Sequence, residues 1–327
     1  MPHPSSSLAT LRPELAGSLE EFSLANDRNG FIGAQVLPVF EVAKSSGTFG
    51  RIPVEQLLSQ PETVRAPGSA YNRGKFTFTT DTFATIEHGW EEPIDDAEAA
   101  MYADFFNAEQ ISAARAYDIV LRAQEIRTAA AIFNSTTWTG SALTTAAAVT
   151  WTQTNHATSV PITDVNSAKV KVWNGCGLWP NALIMSYAKF MALRTIDQVV
   201  DAITSAGAGQ SRRASEITRE LLASVFDVDY ILVAGASKNT AKEGQATVFA
   251  NIWSDSYCSV ARLCTSQDIR EPGLGRTFHW GSDGSQIGGT IETYRDETIR
   301  GDVVRVRNQV HEKVLYTECA HLISGCS

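Results

Sequence analysis

The sequence predicts an α+β protein in which helical and strand-rich stretches are segregated along the chain instead of alternating regularly. Three observations carry this. Ile94 to Ser135 holds no glycine and no proline and has apolar residues at mostly three- and four-residue steps. The C-terminal part is strand-rich, with Gly289–Tyr294 and Val303–Arg307 flanking a charged turn. Residues 1–92 have the punctuation of an arm and a hairpin and no helical period.

In chain order, residues 1–50 read as an extended arm. Pro2, Pro4, Pro13 and Pro38 break any long helix, and Phe31, Ile32, Val36, Leu37, Val39 and Phe40 supply apolar anchors without a partner element of their own. Residues 51–92 read as a hairpin excursion. Lys75–Thr80 alternates polar and aromatic residues, and Pro67-Gly68-Ser69 and Asn72-Arg73-Gly74 supply turns. Pro93 then opens the long helix, with Asp95, Asp96 and Glu98 at its positive end and Phe105, Ile111, Ile126 and Phe133 on its buried face. The helix is expected to run unbroken to Phe133. The stripe is Ala-rich without a Leu heptad, which argues against a coiled coil.

A Thr-, Ala- and Trp-rich connector follows, and mixed α/β pattern begins at Val165. Asp164 or Asn166 could cap a helix through Val172. Leu183–Met185 and Tyr230–Val233 read as buried strands, as do Val248–Trp253 and Tyr257–Leu263. Ala188–Leu193, Gln198–Ile203 and Ser215–Val225 read as helices, and Gly207–Ser211 as a flexible loop carrying Arg212 and Arg213.

Composition narrows the function. Of 327 residues, 43 % are hydrophobic and 19 % charged, a low charge fraction that suits a subunit burying much of its outside. The net charge of −9, from 27 basic and 36 acidic residues, makes the chain a poor wrapper of nucleic acid, although it does not prevent enclosing it. Cys176, Cys258, Cys264, Cys319 and Cys326 form no CxxC pair and read as free thiols in a reducing cytoplasm. No apolar run approaches the ~20 residues that span a bilayer, so no membrane is expected, and residues 1–7 carry no secretory pattern.

Enzyme signatures are missing. There is no GxSxG and no Walker loop, and Gly207-Ala208-Gly209 and Gly273-Leu274-Gly275 meet Arg212 and Phe278 where a third glycine belongs. His311-Glu312 starts like HExxH, but position 315 is Leu. Cys319, His321 and Cys326 could face a metal, although a packed strand end is the simpler reading. Glu91, Glu92, Asp95 and Asp96 read as helix-start charge in preference to a carboxylate centre. Arg300-Gly301-Asp302 is a chance-level tripeptide. The tryptophans are dispersed like core and interface anchors and form no base-stacking platform. No catalytic residue, cofactor or metal is expected.

The order of these segments resembles the HK97-like major capsid proteins of tailed double-stranded DNA phages. Several stretches also resemble that family in wording: Asn29–Gly33 with Val36–Val39, Arg65–Gly68, Pro180–Ser186, Ile252–Asp255, Thr277–Trp280, and Tyr294–Glu297 leading to Arg300–Val304. The resemblance covers roughly residues 25–325. It implies an N-terminal arm (1–50), an extended loop (51–92), a peripheral domain with a spine helix (93–164) completed by a β-hairpin (281–313), and an axial domain (165–280) completed by a C-terminal strand (314–327). It implies self-assembly into hexamers and pentamers of an icosahedral head in the host cytoplasm, enclosing double-stranded DNA without sequence-specific binding. The arm begins near residue 20, so scaffolding is expected from a separate protein. A portal is a further expected partner, and a decoration protein has room on such a shell. The expected inter-subunit contacts are Arg73, Lys75, Phe76 and Phe78 in the loop, and Arg295, Asp296, Glu297, Arg300 and Asp302 in the charged turn, where mixed sign suits pairing around a symmetry axis. Some relatives cross-link a loop lysine to a partner asparagine. Lys75 lies in the corresponding loop, but no matching asparagine stands in Arg295–Asp302. The alternatives are an encapsulin-like compartment shell and an enzyme with a dispersed active site.

Overall fold

A computed structural model describes residues 10–11, 30–75, 77–102, 107–205, 216–266, 268, 270–282, 284–285 and 289–327. In chain order the elements are β1 (Thr10–Leu11), α1 (Gly33–Val36), β2 (Val39–Glu41), β3 (Ser46–Arg51), α2 (Val54–Leu57), β4 (Thr79–Ala84), β5 (Ile86–Asp95), α3 (Asp96–Tyr102), α4 (Ala108–Ile132), β6 (Thr144–Ala146), α5 (Pro161–Cys176), β7 (Ala182–Ser186), α6 (Tyr187–Leu193), α7 (Asp197–Ser205), α8 (Arg219–Phe226), β8 (Tyr230–Ala234), β9 (Ser237–Asn239), β10 (Phe249–Asn251), β11 (Tyr257–Ala261), β12 (Gly275–His279), β13 (Thr290–Asp296), β14 (Gly301–Val314) and β15 (Ala320–Ser324).

Two sheets organise them. The first has the order β1-β13-β14-β12-β2, with β5 on the other side of β14. The second has the order β6-β15-β11-β7-β8. Strand β12, from the 165–280 stretch, pairs in the first sheet, and β6, from the 93–164 stretch, pairs in the second. The central strands of the second sheet are buried on both faces, which is why they read as continuous apolar runs. Leu183, Met185, Ile231 and Val233 point into a core shared with Val165, Phe190, Leu193, Leu222 and Phe226. Ala182, Ile184, Leu232 and Ala234 point the other way, into a core closed by Trp138, Trp253 and the end of α4.

The expected unbroken helix from Asp95 to Phe133 is corrected in three respects. Residues 86–95, including Pro93, belong to β5, which pairs with β14 from Ile86↔Val310 to Asp95↔Gly301. Proline is tolerated there because, among the described residues, β5 pairs with β14 only, so its other edge calls for no N–H. The helical stretch is then divided. Asn107 has extended backbone (φ −82°, ψ 109°) and its side chain accepts a hydrogen bond from the Gln110 N–H, so it caps α4 instead of continuing α3. Finally, the buried face is different. Ala113, Ala116, Val120, Thr128, Ala129 and Ile132 are buried, while Ile111 is 42 % exposed and Ile126 only half-buried. Phe105 lies outside the described residues. Small residues won the inner face because α4 lies directly on the valines of β14, where Ala113, Ala116 and Val120 meet Val304 and Val306. The 25 residues of α4 span about 37 Å, and its last turn enters the core of the second sheet through Ala129, Ile132 and Phe133.

Two smaller boundaries move for local reasons. Pro161 occupies the first turn of α5, so Asp164 lies inside the helix instead of capping it, and its Oδ2 accepts from the Trp151 indole at 3.0 Å. Helix α8 starts at Arg219 because Thr218 caps it through the Leu221 N–H. The loop carrying Arg212 and Arg213 lies outside the described residues.

Candidate subunit-contact surfaces

The arm's anchors turn inward. Ile32, Val36 and Leu37 lie in this chain's own core, and β2 pairs in parallel with β12. A residue with no sequence signature makes that docking specific. Glu125, in the middle of α4, is 3 % exposed. Its carboxylate accepts from the Ile32 N–H at 3.0 Å, the Gly33 N–H at 2.7 Å and the Trp253 indole at 2.6 Å. A side chain at position 33 would collide with it, since a Cβ there would sit 2.5 Å from Oε2. Burial pushes the carboxyl's pKa up, and its three donors pull against that. A mid-helix glutamate ordinarily reads as surface charge, and only the folded arm reveals this one as a latch.

The 51–92 segment divides into root and tip. Strands β3 and β4 form a two-stranded hairpin of their own, paired from Ser46↔Ala84 to Arg51↔Thr79. Phe83 stacks on buried Phe278 with centroids 4.8 Å apart, Phe49 joins them at 5.8 Å, and Lys313 on β14 is bonded to Asp81. Beyond this root the described residues from Leu58 to Thr80 are all exposed. Val64, Tyr71 and Phe78 are exposed by 76 %, 72 % and 70 %. The tip's contacts are local: Arg65 covers the Tyr71 ring at 4.6 Å and donates to the Ser69 carbonyl, and Asn72 donates to the Glu62 carbonyl. Arg73 and Lys75 are exposed beside Phe78, and Phe76 lies outside the described residues.

The charged turn links β13 to β14. Arg295 makes a two-pronged contact with Asp96 at the start of α3, at 2.6 and 2.5 Å, and lies 3.6 Å from Glu297 and 3.7 Å from Asp302. That hydrogen-bonded pairing holds the Asp96 carboxyl below its ordinary range and raises Arg295. Asp296 accepts from the Thr298 N–H at 2.9 Å, which shapes the turn and lowers its pKa together with the Thr298 hydroxyl. Arg300 has φ +48°, is exposed and makes no ion pair among the described residues. Arg295 and Asp296 therefore serve the turn itself, while Glu297 and Arg300 point outward.

The carboxylates weighed as a cluster are dispersed among separate partners. Glu91 pairs with Arg305 at 2.6 Å, Glu92 lies 3.6 Å from Arg115, Asp95 accepts from the Ala97 N–H and Asp96 holds Arg295. His321 is fully buried, donating from Nδ1 to the Ala142 carbonyl and bonded through Nε2 to Thr145, each at 2.8 Å. That leaves no lone pair for a metal beside Cys319 and Cys326. Among the described residues no group of three or more His, Cys, Asp or Glu could hold a metal ion, and no helix is long and apolar enough to cross a membrane. A cleft of about 700 Å³ is lined by Lys169, Trp173, Trp179, Asp227 and Arg262. Its lysine is engaged with the Phe226 and Asp227 carbonyls and the Asp227 carboxylate, closing the end of α8.

No family model matches the sequence. The chain is 24 % identical over 289 residues to the major capsid protein of Pseudomonas phage JBD67, covering 88 % of this chain and 89 % of that one. In structure it is similar to a phage-related protein from Bordetella bronchiseptica RB50, with TM-score 0.67 and 19 % identity over 97 % of this chain and 98 % of that one. It is also similar to the capsid of cyanophage P-SCSP1u, with TM-score 0.57 and 13 % identity over 88 % and 86 % of the two chains, and to the mature capsid of bacteriophage PhiM1, with TM-score 0.57 and 13 % identity over 90 % and 86 %. An arm latched to a long helix, a rooted hairpin with an exposed tip and two sheets bridged by that helix are thus the HK97-like fold of phage major capsid proteins.

Proposed function

We propose that this chain is the major capsid protein of a tailed phage and builds an icosahedral head from hexamers and pentamers of itself around double-stranded DNA. The observation that carries the proposal is the near full-length likeness to a phage major capsid protein, joined to a loop tip that exposes Val64, Tyr71 and Phe78 on a root held firmly to the body. An isolated monomer gains nothing from such a tip, whereas a neighbouring copy can cover it.

In this reading the first sheet with α4 forms the peripheral domain, the second sheet with α5 to α8 the axial domain, and residues 58–78 the extended loop that lies on a neighbour. Arg73, Lys75 and Phe78 contact that neighbour, and the Arg295–Asp302 turn, chiefly through Glu297 and Arg300, meets copies of itself between capsomers. Each exposed pair contributes only about 0.2–1 kcal/mol, which lets misplaced subunits leave before closure. A net charge of −9 keeps the wall from gripping its DNA. Scaffold and portal are separate proteins, and assembly takes place in the host cytoplasm.

The test is the content of particles purified from cells producing the chain with its neighbouring phage genes. Nuclease-resistant double-stranded DNA of uniform length is expected. Particles filled instead with a host-encoded enzyme would overturn the genome-container reading in favour of a compartment shell.

A further inference from the structure

Two apolar surfaces of this chain stay uncovered among the described residues. One is the loop tip with Val64, Tyr71 and Phe78. The other is the cleft of about 700 Å³ between α5 and α8. Helix α5 turns Val165, Ala168, Val172 and Cys176 into the body. It also carries Val170 and Trp173 on its outer side, 53 % and 51 % exposed, and Trp179 just beyond its end is 76 % exposed. All three line the cleft. A helix that packs by one face needs no second apolar face unless something covers it. The cleft also borders the place where the chain's own loop leaves the body, since a Cβ at Gly177 would lie 2.8 Å from Leu58 Cδ1. No described residue from 58 to 78 lines it.

The charges of the two surfaces are complementary. Residues 58–78 hold three basic side chains, Arg65, Arg73 and Lys75, and one acidic one, Glu62. At the cleft, Lys169 is committed to Asp227 and to the carbonyls that end α8. Asp229 is exposed and makes no ion pair among the described residues, and the same holds for Arg73. The remaining cation of the cleft, Arg262, is half-buried and matches Glu62 in sign. The tip also offers a free ring face. Arg65 covers Tyr71 on one side at 4.6 Å, which leaves the other side for an indole.

We propose that the cleft is the acceptor for the loop tip of a second copy of this chain, with Tyr71 against Trp179 and Arg73 on Asp229. The proposal rests on the shell reading and names the surface that the loop meets. Ten extended residues beyond Leu58 reach about 33 Å, more than the radius of gyration of about 20 Å expected for a chain of this length, so the tip can leave its own subunit. A tip-to-cleft contact joins unlike surfaces. It therefore links copies head to tail and closes into a ring where the rotation permits, as six-fold and five-fold clusters require.

The test uses the full chain produced with a scaffolding protein, as a mixture of isotopically light and heavy copies carrying photoreactive p-benzoylphenylalanine in place of Tyr71. Irradiated particles are mapped by peptide mass spectrometry. Cross-links are expected between a light and a heavy copy, from position 71 to the peptide holding Trp173 and Trp179. Asp229→Arg should lower their yield roughly two- to five-fold, the effect of one exposed ion pair, and Arg73→Asp in that background should restore it. In the wild type, hydroxyl-radical oxidation of Trp173 and Trp179 should largely disappear between free subunits and closed shells, a reading that stands even where a variant fails to fold. Closed shells whose cross-links fall elsewhere or within one copy, or whose two tryptophans oxidise as in free subunits, would overturn the cleft assignment and leave the shell reading standing. An unchanged yield in Asp229→Arg would overturn the Arg73–Asp229 contact. A chain that stays monomeric beside the scaffold would overturn both the assignment and the shell reading.

Discussion

The Glu125 carboxylate accepts a 2.6 Å hydrogen bond from the Trp253 indole while holding the backbone N–H groups of Ile32 and Gly33. One buried side chain thus joins the N-terminal arm, the long helix and the segment before β11. Glu125→Ala leaves three buried donors without an acceptor and should destabilise the subunit by about 3 kcal/mol. Urea unfolding measures this, and a loss below about 1 kcal/mol would show the latch to be incidental. Because burial raises the folded-state pKa of Glu125, its contribution is fully present below the unfolded value and falls as pH rises through the folded one.

Glu271 has the opposite linkage. Burial raises its pKa, but hydrogen bonds from the backbone and hydroxyls of Ser266 and Thr265 outweigh it and bring the carboxyl down to about 2 from an ordinary 4.5. Its stabilisation is therefore present above pH 4.5 and is lost as pH falls towards 2. The stability gap between wild type and Glu271→Gln should narrow across that window in denaturant melts. A gap of constant size would mean that the carboxylate's charge does not hold the loop.

Deleting residues 60–77 removes the exposed tip and spares the root built by Phe49, Phe83 and Phe278. The variant should melt within a few degrees of wild type and sediment as free subunits. Normal particles from it would contradict a loop that contacts neighbours. Phe83→Ala, by contrast, removes a ring stacked on Phe278 and should cost about 2 kcal/mol in the subunit itself.

At the charged turn, Arg300→Glu should change subunit stability by less than about 0.5 kcal/mol, since the side chain is exposed and makes no ion pair among the described residues, yet block or misdirect assembly. Glu297→Arg should restore assembly in that background. Asp296→Arg should not, because Asp296 holds the turn through Thr298. If Arg300→Glu subunits form normal shells at low and high salt alike, the turn is an ordinary solvated tip.

The strands of the second sheet were legible because burial on both faces leaves an uninterrupted apolar run, as in Leu183–Met185 and Tyr230–Val233. The β13–β14 hairpin was legible from its alternation and its turn. The helix start was misjudged because Pro93 and the acidic residues after it resemble a helix N-terminus, whereas the decisive fact is pairing with β14, more than two hundred residues away in sequence. The buried face of α4 was misjudged because large apolar residues were preferred, while close packing on Val304 and Val306 selects alanines. The latch at Glu125 left no local trace, since nothing in a helical period distinguishes a buried glutamate from a solvated one. Of the expected contact residues, the sequence did not separate Arg295 and Asp296, which bond within their own chain, from Glu297 and Arg300, which are exposed to solvent.

Electron microscopy of the chain produced together with a scaffolding protein tests the shell reading most directly. Closed shells are expected, with surfaces that resolve into six-fold and five-fold clusters of this subunit and with residues 58–78 lying on an adjacent copy. A chain that stays monomeric in the presence of scaffold, with that segment free in solvent, would contradict it.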